Sequence, residues 1–465
     1  MKLAMLLGIL AISSLPVGAQ SGGVGGFGGE PIGLQQGDTG TGFQSQNVGF
    51  FPWLSVNGIY SHPLGTSIGL ANSDRMGGTF SGGVGGSKAW QTSEVQAGYV
   101  GSGSYNNQSL SGAARRWRQT HVGNVGYVKQ LTQQWQVSLS QVGGLSDGGY
   151  GIGSAFGASG VPGLGGGAGL GSFLGGDISG NGGFQDPNQN GLVDAEILDT
   201  RTKFSSSRAS LAYRLTERLS ANGTGGAGFA RRGNGLSGVN AYTGGGGLNY
   251  QITQNTQIGG NYMHSNVDYV GLFGGSRYDT VQAGFQTKLT QQLQITAQGG
   301  AARLNSTFVG PVALPPDLAA LLGVGSTLEV QRVSTNAVAV RVLLSYNARN
   351  SHFNAGYNRG VAPGNGVVFT SLRDSVVLGY GWKVGQKLGL SFTASYNRLS
   401  GRVGIMKVTQ SAQGGTALSY KLFSSVSATA QGGYRYTTIT GVRQFRELYA
   451  GFGLTWHPGD AVFTF

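Results

Sequence analysis

One segment of the chain carries oxygen ligands at the spacing of a calcium-binding loop. The ligand-type residues are Asp186, Asn188, Asn190 and Asp194. They occupy loop positions one, three, five and nine, and Gly191 stands at position six, where such loops turn sharply. Position twelve is Ile197 rather than a bidentate acid, although Glu196 is adjacent. The spacing indicates a weak calcium site over residues 186–197, with a run of ordinary Asx turns as the alternative.

Catalytic chemistry has little support in the sequence. The chain has no Cys, which excludes disulfides and thiolate metal sites. Its five histidines are His62, His121, His264, His352 and His457. None has a Ser and a carboxylate at a recognisable nucleophile spacing. We therefore predict no catalytic residue and no enzyme activity, and no cofactor apart from calcium in the 186–197 loop.

Composition excludes an ordinary cytosolic globule. Charged residues make up 11% of the chain, and 88 of its 465 residues are Gly, against about 25% charged and about 7% Gly in typical domains. The glycines lack the strict period of collagen, and 39% hydrophobic residues are too many for a disordered chain. The remaining class is a Gly-rich chain built from β-strands.

The N-terminal residues have the pattern of an export signal. A basic start, an apolar run and the small residues up to Ala19 predict a signal peptide over 1–19. The apolar run is too short for a transmembrane helix. Residues 20–50 are mostly Gly, Gln and Ser, which predicts a flexible leader. The net charge of +13 is a poor basis for nucleic-acid binding in an exported protein.

From Phe51 onward, segments of about ten to thirteen residues alternate apolar with polar or Gly residues. In one segment Leu248, Tyr250 and Ile252 share one face, while Asn249 and Gln251 share the other. Most successive short polar turns lie 35 to 41 residues apart, with longer loops between them. The pattern predicts an all-β fold: a transmembrane antiparallel up-and-down β-barrel over 51–465 with about 18 strands, or 16 as the rival count. A soluble β-sandwich, propeller or solenoid is the alternative.

This pattern resembles the porin-like β-barrels of Gram-negative outer membranes, of the beta-barrel porin-2 type, from Phe51 to the end. Phe463 and Phe465 resemble the terminal aromatic signal read by the barrel-assembly machinery. Residues 457–460 interrupt that last segment, so the closing strand ends at either Trp456 or Phe465. The resemblance implies the cell outer membrane as location, with membrane lipid, lipopolysaccharide and the assembly machinery as partners.

Alternation places one set of bases on the polar, lumen-facing side. This pore-lining set is Arg208, Arg214, Lys288, Arg341, Arg373, Lys383, Lys421 and Arg435. The acids assigned to the same side are Glu94 and Glu447. A positive wall in a confined pore attracts anions, and barrels of 16 to 18 strands leave an aqueous channel. The alternative is that these bases pair with acids of the loops.

A second set of arginines has the opposite parity, near the far ends of the strands. These rim residues are Arg231, Arg303, Arg359 and Arg398. Arg is costly at the bilayer midplane but not at the interface, so they belong at the rim. One interpretation is that they bind the phosphates of lipopolysaccharide. The alternative is that their side chains only extend (snorkel) towards water.

The longest loop is predicted over 144–200 and contains no base before Arg201. Its acids are Asp147, Asp177, Asp186, Asp194, Glu196 and Asp199. Such a loop could fold inward against the basic wall or form a surface lid.

The sequence thus predicts a channel for small hydrophilic solutes that prefers anions. An export channel for an anionic polysaccharide and a structural or adhesive barrel are the alternatives.

Overall fold

A computed structural model describes eleven ranges of the chain. They are residues 51–64, 74–107, 117–147, 201–232, 238–271, 274–313, 326–362, 371–385, 387–401, 408–439 and 443–456. The predicted signal peptide, the leader, the calcium loop and the terminal Phe463 and Phe465 lie outside these ranges. No helix within them is long and apolar enough to cross a membrane.

The described ranges form eighteen β-strands. They are β1 Phe51–Pro63, β2 Arg75–Ala89, β3 Ser93–Asn106, β4 Trp117–Gln130, β5 Trp135–Asp147, β6 Arg201–Arg214, β7 Leu219–Arg232, β8 Gly238–Gln251, β9 Thr256–Val270, β10 Gly274–Lys288, β11 Leu293–Ala313, β12 Ser326–Asn347, β13 Ser351–Ala362, β14 Ser371–Val384, β15 Leu388–Gly401, β16 Val408–Lys421, β17 Val426–Ile439 and β18 Arg443–Trp456.

The strands form one closed antiparallel sheet. Each strand pairs with its neighbours in the chain, and β1 pairs with β18 from Leu54 opposite Trp456 to Pro63 opposite Glu447. Full closure removes the free sheet edges of an open β-fold. The predicted up-and-down barrel and the count of 18 strands, rather than 16, are confirmed.

The two ends of the barrel differ. Eight connections of three or four residues lie at one end, here called the short-turn end, together with the start of β1 and the end of β18. In four of these turns a Thr hydroxyl oxygen accepts backbone N–H groups two and three residues later, at 3.0–3.3 Å. Such local bonds stabilise tight turns. These threonines are Thr132, Thr216, Thr253 and Thr290. The other end is here called the loop end.

The outward face of the barrel is apolar and the inward face is largely polar. Val281, Val338 and Leu248 are 58%, 59% and 56% exposed on the outward face. Ser265 and Gln282, on the inward face, are buried. This inversion of the usual soluble pattern is the architecture of a transmembrane β-barrel, whose apolar face meets lipid.

Two predicted boundaries are wrong. The strands span 12 to 22 residues rather than ten to thirteen, and β11 and β12 pair along their whole length up to Ala313 opposite Ser326. The predicted 144–200 loop starts too early, because β5 continues to Asp147, which pairs with Arg201. Backbone pairing does not require apolar side chains, so the ladder continues beyond the outward apolar band.

Some glycines make room for aromatic rings that lie flat along the wall. A Cβ atom added to Gly433 would lie 2.5 Å from the hydroxyl oxygen of Tyr449, and one added to Gly415 would lie 2.7 Å from it. The Tyr449 ring therefore covers two glycines of neighbouring strands. Similar cover of strand glycines by aromatic side chains is a known device for fixing register.

Candidate functional site: the lumen wall and the outer rim

All eight predicted pore-lining bases lie on the inward face by register. Arg341, for example, lies between the outward-facing Val340 and Val342, and opposite the buried Gln298 of β11. The same alternation holds for the other seven, because the strands run without a bulge through these positions. The eight bases differ, however, in height and in their partners.

Two of these bases are held within the wall near the loop end. Arg373 is buried and donates to the side-chain oxygen of Asn397 from Nε at 3.3 Å and from Nη2 at 2.9 Å. Arg435 lies 3.4 Å from Glu447, and the two side chains are 16% and 0% exposed. Their register places them directly opposite each other. Glu447, one of the two acids predicted on this side, therefore neutralises Arg435.

Two further bases lie in the middle of the wall. Arg208 is opposite Ser140 and Gly226, and Arg341 is opposite Gln298 and Asn358. Both side chains are half-buried and interact with neighbouring groups.

The remaining four bases lie at equivalent positions at the short-turn end. They are Arg214, Lys288, Lys383 and Lys421. The backbone N–H of each donates at 2.7–2.9 Å to the carbonyl of the last residue of the preceding turn: Gln134, Asn255, Asn350 and Lys387, respectively. The shared bond shows that all four stand at one height. Within the described ranges none of the four forms an ion pair.

The acids on the inward face are few. In the described strands the register assigns three to this face, Glu94, Glu329 and Glu447. Glu329 belongs to the extension of the β11–β12 hairpin, and the sequence analysis missed it.

Near the loop end, part of the inward face is apolar. Buried side chains of β8 to β11 pack together there: Val239, Ala241, Val267, Tyr269, Tyr278 and Leu304. A second buried group, on β5 to β7, contains Val142, Phe204 and Ala230. Because these side chains are buried, this part of the wall does not border open water.

All four predicted rim arginines lie on the outward face, towards the loop end, and are exposed. Arg231 donates from Nη2 to Asn240 at 2.8 Å, and its guanidinium lies 5.6 Å from the centre of the Phe229 ring. An aromatic residue two positions below a base recurs at Tyr357 and Arg359.

Acids that the sequence analysis missed are interleaved with these arginines. Asp279 stands in register between His264 and Arg303, and lies 2.8 Å from His264 Nδ1. Asp374 stands between Arg359 and Arg398, with Arg359 Nη1 at 3.4 Å. Both acids share parity with exposed apolar residues of their strands, so the alternation contained the signal. The rim is a row of mixed charges rather than a purely basic band.

A third unit of this kind lies between β1 and β2. Tyr60 donates to one Asp74 oxygen at 2.7 Å, and His62 Nδ1 lies 2.6 Å from the other. Hydrogen bonds, from Tyr60 first and then from His62, hold the pKa of the Asp74 carboxyl below its usual value.

Among the described residues, no group of three or more His, Asp or Glu is placed to hold a metal ion. The predicted calcium ligands Asp186, Asn188, Asn190 and Asp194 lie outside these residues, as does most of the acidic loop.

Comparison with known proteins gives no family for the chain. No family model and no curated protein match it. The solved structures similar to it include the ferric-catecholate import receptor Fiu from E. coli K12, at 8% identity over 89% of this chain and 82% of that one, with a TM-score of 0.42. Acinetobacter baumannii OccAB4 is 10% identical over 89% and 100%, with a TM-score of 0.41. Pseudomonas aeruginosa OpdL is 12% identical over 88% and 99%, with a TM-score of 0.38. Similarity at this level identifies no activity.

Proposed function

We propose that the protein is a porin-like channel of the outer membrane that passes small hydrophilic solutes and prefers anions. The observation that carries the proposal is a closed 18-stranded barrel, apolar outside, with eight bases on its inward face. Barrels of this size leave an aqueous channel.

Electrostatics supports the preference for anions. The register assigns further bases, among them Arg75, Arg118 and Arg232, to the inward face with the eight predicted ones. Together these bases outnumber the three inward acids of the described strands, and one of those acids is already paired with Arg435. Low-dielectric walls lined by one sign of charge concentrate counter-ions along the path. An anion therefore enters such a channel at a lower electrostatic cost than a cation of the same size.

We also propose that the rim binds phosphate groups of lipopolysaccharide. Arg359 and Arg398 flank Asp374 on the exposed outward face, where a lipid headgroup lies beside the barrel. Guanidinium groups suit phosphate, and Asp374 lies 3.4 Å from Nη1 of Arg359 and so orients that side chain. We expect Arg359→Gln with Arg398→Gln to lower the lipopolysaccharide that co-purifies with the barrel. Lys129→Gln, a change of an exposed outward base at the short-turn end, is the control. Equal amounts in all three samples would contradict rim binding.

The channel is tested by refolding the protein and measuring conductance in planar bilayers under a KCl gradient. We expect stepwise conductance and a reversal potential on the chloride side of zero. Folded protein that never conducts would favour a structural barrel closed by its own loops.

A further inference from the structure

The four bases at the short-turn end belong to a larger ring of equivalent positions. In seven strands that run down to a short turn, one inward residue donates its backbone N–H to the carbonyl of the last residue of the preceding turn. These seven residues, here called the mouth ring, are Gln130, Arg214, Gln251, Lys288, Asn347, Lys383 and Lys421. The ring contains four cations, three amides and no acid.

We propose that the mouth ring is the anion-selecting site of the channel and takes carboxylate, phosphate or sulfate groups of the passing solute. The proposal rests on the channel function and assigns its selectivity to particular residues. Bases higher in the wall are less available: Arg373 is buried and bonded to Asn397, and Arg435 is paired with Glu447. Ring cations pair with no acid of the described ranges, and the side chain of Lys421 is exposed.

The chemistry of the ring suits an anion that arrives partly hydrated. Lys ammonium groups donate in three directions, the Arg guanidinium can bind two oxygens at once, and the amides donate without adding charge. Such a mixture attracts an anion without holding it tightly, which passage requires.

The distances between the ring cations along the wall determine how strongly they attract an anion together. Neighbouring strands lie about 4.8 Å apart, so Lys383 of β14 and Lys421 of β16 are separated by roughly 10 Å along the wall. Arg214 of β6 lies roughly 19 Å from Lys288 of β10, and Lys288 lies roughly 19 Å from Lys383.

By Coulomb's law in water, one cation about 10 Å away raises the local concentration of a monovalent anion roughly twofold. The Debye length is about 10 Å at 0.1 M salt and about 3 Å at 1 M. Selectivity from the ring should therefore fall steeply as salt rises.

The decisive experiment replaces the four ring cations by the amide that the ring already contains. The variant carries Arg214→Gln, Lys288→Gln, Lys383→Gln and Lys421→Gln. Its matched control removes one Arg and three Lys from exposed outward positions: Lys88→Gln, Lys129→Gln, Lys203→Gln and Arg332→Gln. Both variants lose the same net charge.

We expect the ratio of chloride to potassium permeability, measured at low salt, to fall several-fold in the ring variant and to stay unchanged in the control. An unchanged ratio in the ring variant, in a channel that still prefers anions, would overturn the assignment to the ring. A wild-type channel that does not conduct, or that has no preference, would instead overturn the proposed function.

A second measurement avoids the question of whether the quadruple variant folds. The chain has no Cys, so Lys383→Cys provides a single thiol that can be modified after the channel has inserted. We expect a negatively charged thiol reagent to move the reversal potential towards potassium, and a positively charged reagent to restore it. Reagents of opposite charge that give the same reversal potential would contradict the proposal.

Discussion

Replacing Glu447 with Gln tests the buried ion pair of the lumen wall. Glu447 is fully buried and lies 3.4 Å from Arg435, which is 16% exposed. Removing one partner of a buried pair typically costs about 3 to 5 kcal/mol, because the remaining charge stays desolvated. Arg435 keeps some contact with the lumen, so we expect the lower end of that range, about 3 kcal/mol.

The assay is urea unfolding of the barrel refolded in lipid vesicles, followed by tryptophan fluorescence and by the heat-dependent gel shift of folded barrels. Glu329→Gln is the control, because Glu329 is exposed and has no ion pair within the described ranges. We expect it to change the free energy of unfolding by no more than about 0.5 kcal/mol. A double variant that also carries Arg435→Gln gives the coupling energy of the pair.

Two results would refute this reasoning. One is a free energy of unfolding for Glu447→Gln that lies within about 0.5 kcal/mol of the wild-type value. The other is strict additivity of the two single changes, since contacting charges should couple.

Three further predictions concern packing, assembly and calcium. Gly433→Ala should lower the free energy of unfolding by about 1 to 3 kcal/mol, because the added Cβ would clash with the backbone carbonyl of Gly414 and with the Tyr449 hydroxyl, whereas Gly360→Ala, with open space around its Cβ position, should leave it unchanged in the same urea assay. Deleting residues 463–465 should lower the yield of folded barrel in cells but not the stability of the barrel refolded in vitro, because the pairing of β1 with β18 that closes the barrel lies within Leu54 to Pro63 and Glu447 to Trp456. An unchanged yield in cells would contradict their assembly role. Chelating calcium should make the 186–197 segment more sensitive to protease, and Asp186→Ala should abolish that difference; equal cleavage with and without calcium would exclude the site.

The sequence predicted the barrel because one rule, a period of two, governs every strand. Leu248, Tyr250 and Asn249 fall on the faces that the alternation assigns to them. The strand count followed from the repeated turns, whose Thr residues also make the bonds that close them. Local patterns were sufficient, because closure needs only that each strand pair with the next.

Partners across strands could not be predicted in the same way. The pairing of Arg435 with Glu447 depends on the register between β17 and β18, and that of Arg373 with Asn397 on the register between β14 and β15. A single sequence shows which face of the sheet each residue occupies, but not which residue of the next strand it lies opposite. The mouth ring had a visible signal, since Arg214 and Lys288 each precede a Leu-Thr turn.

The direction of ion selectivity in the wild-type channel tests the function most directly. The measurement is the reversal potential of the refolded protein in planar bilayers, under a KCl gradient at low ionic strength. The inward bases predict a reversal potential on the chloride side, which declines as salt screens the wall. A reversal potential on the potassium side, or a value of zero at low salt, would contradict an anion-preferring channel.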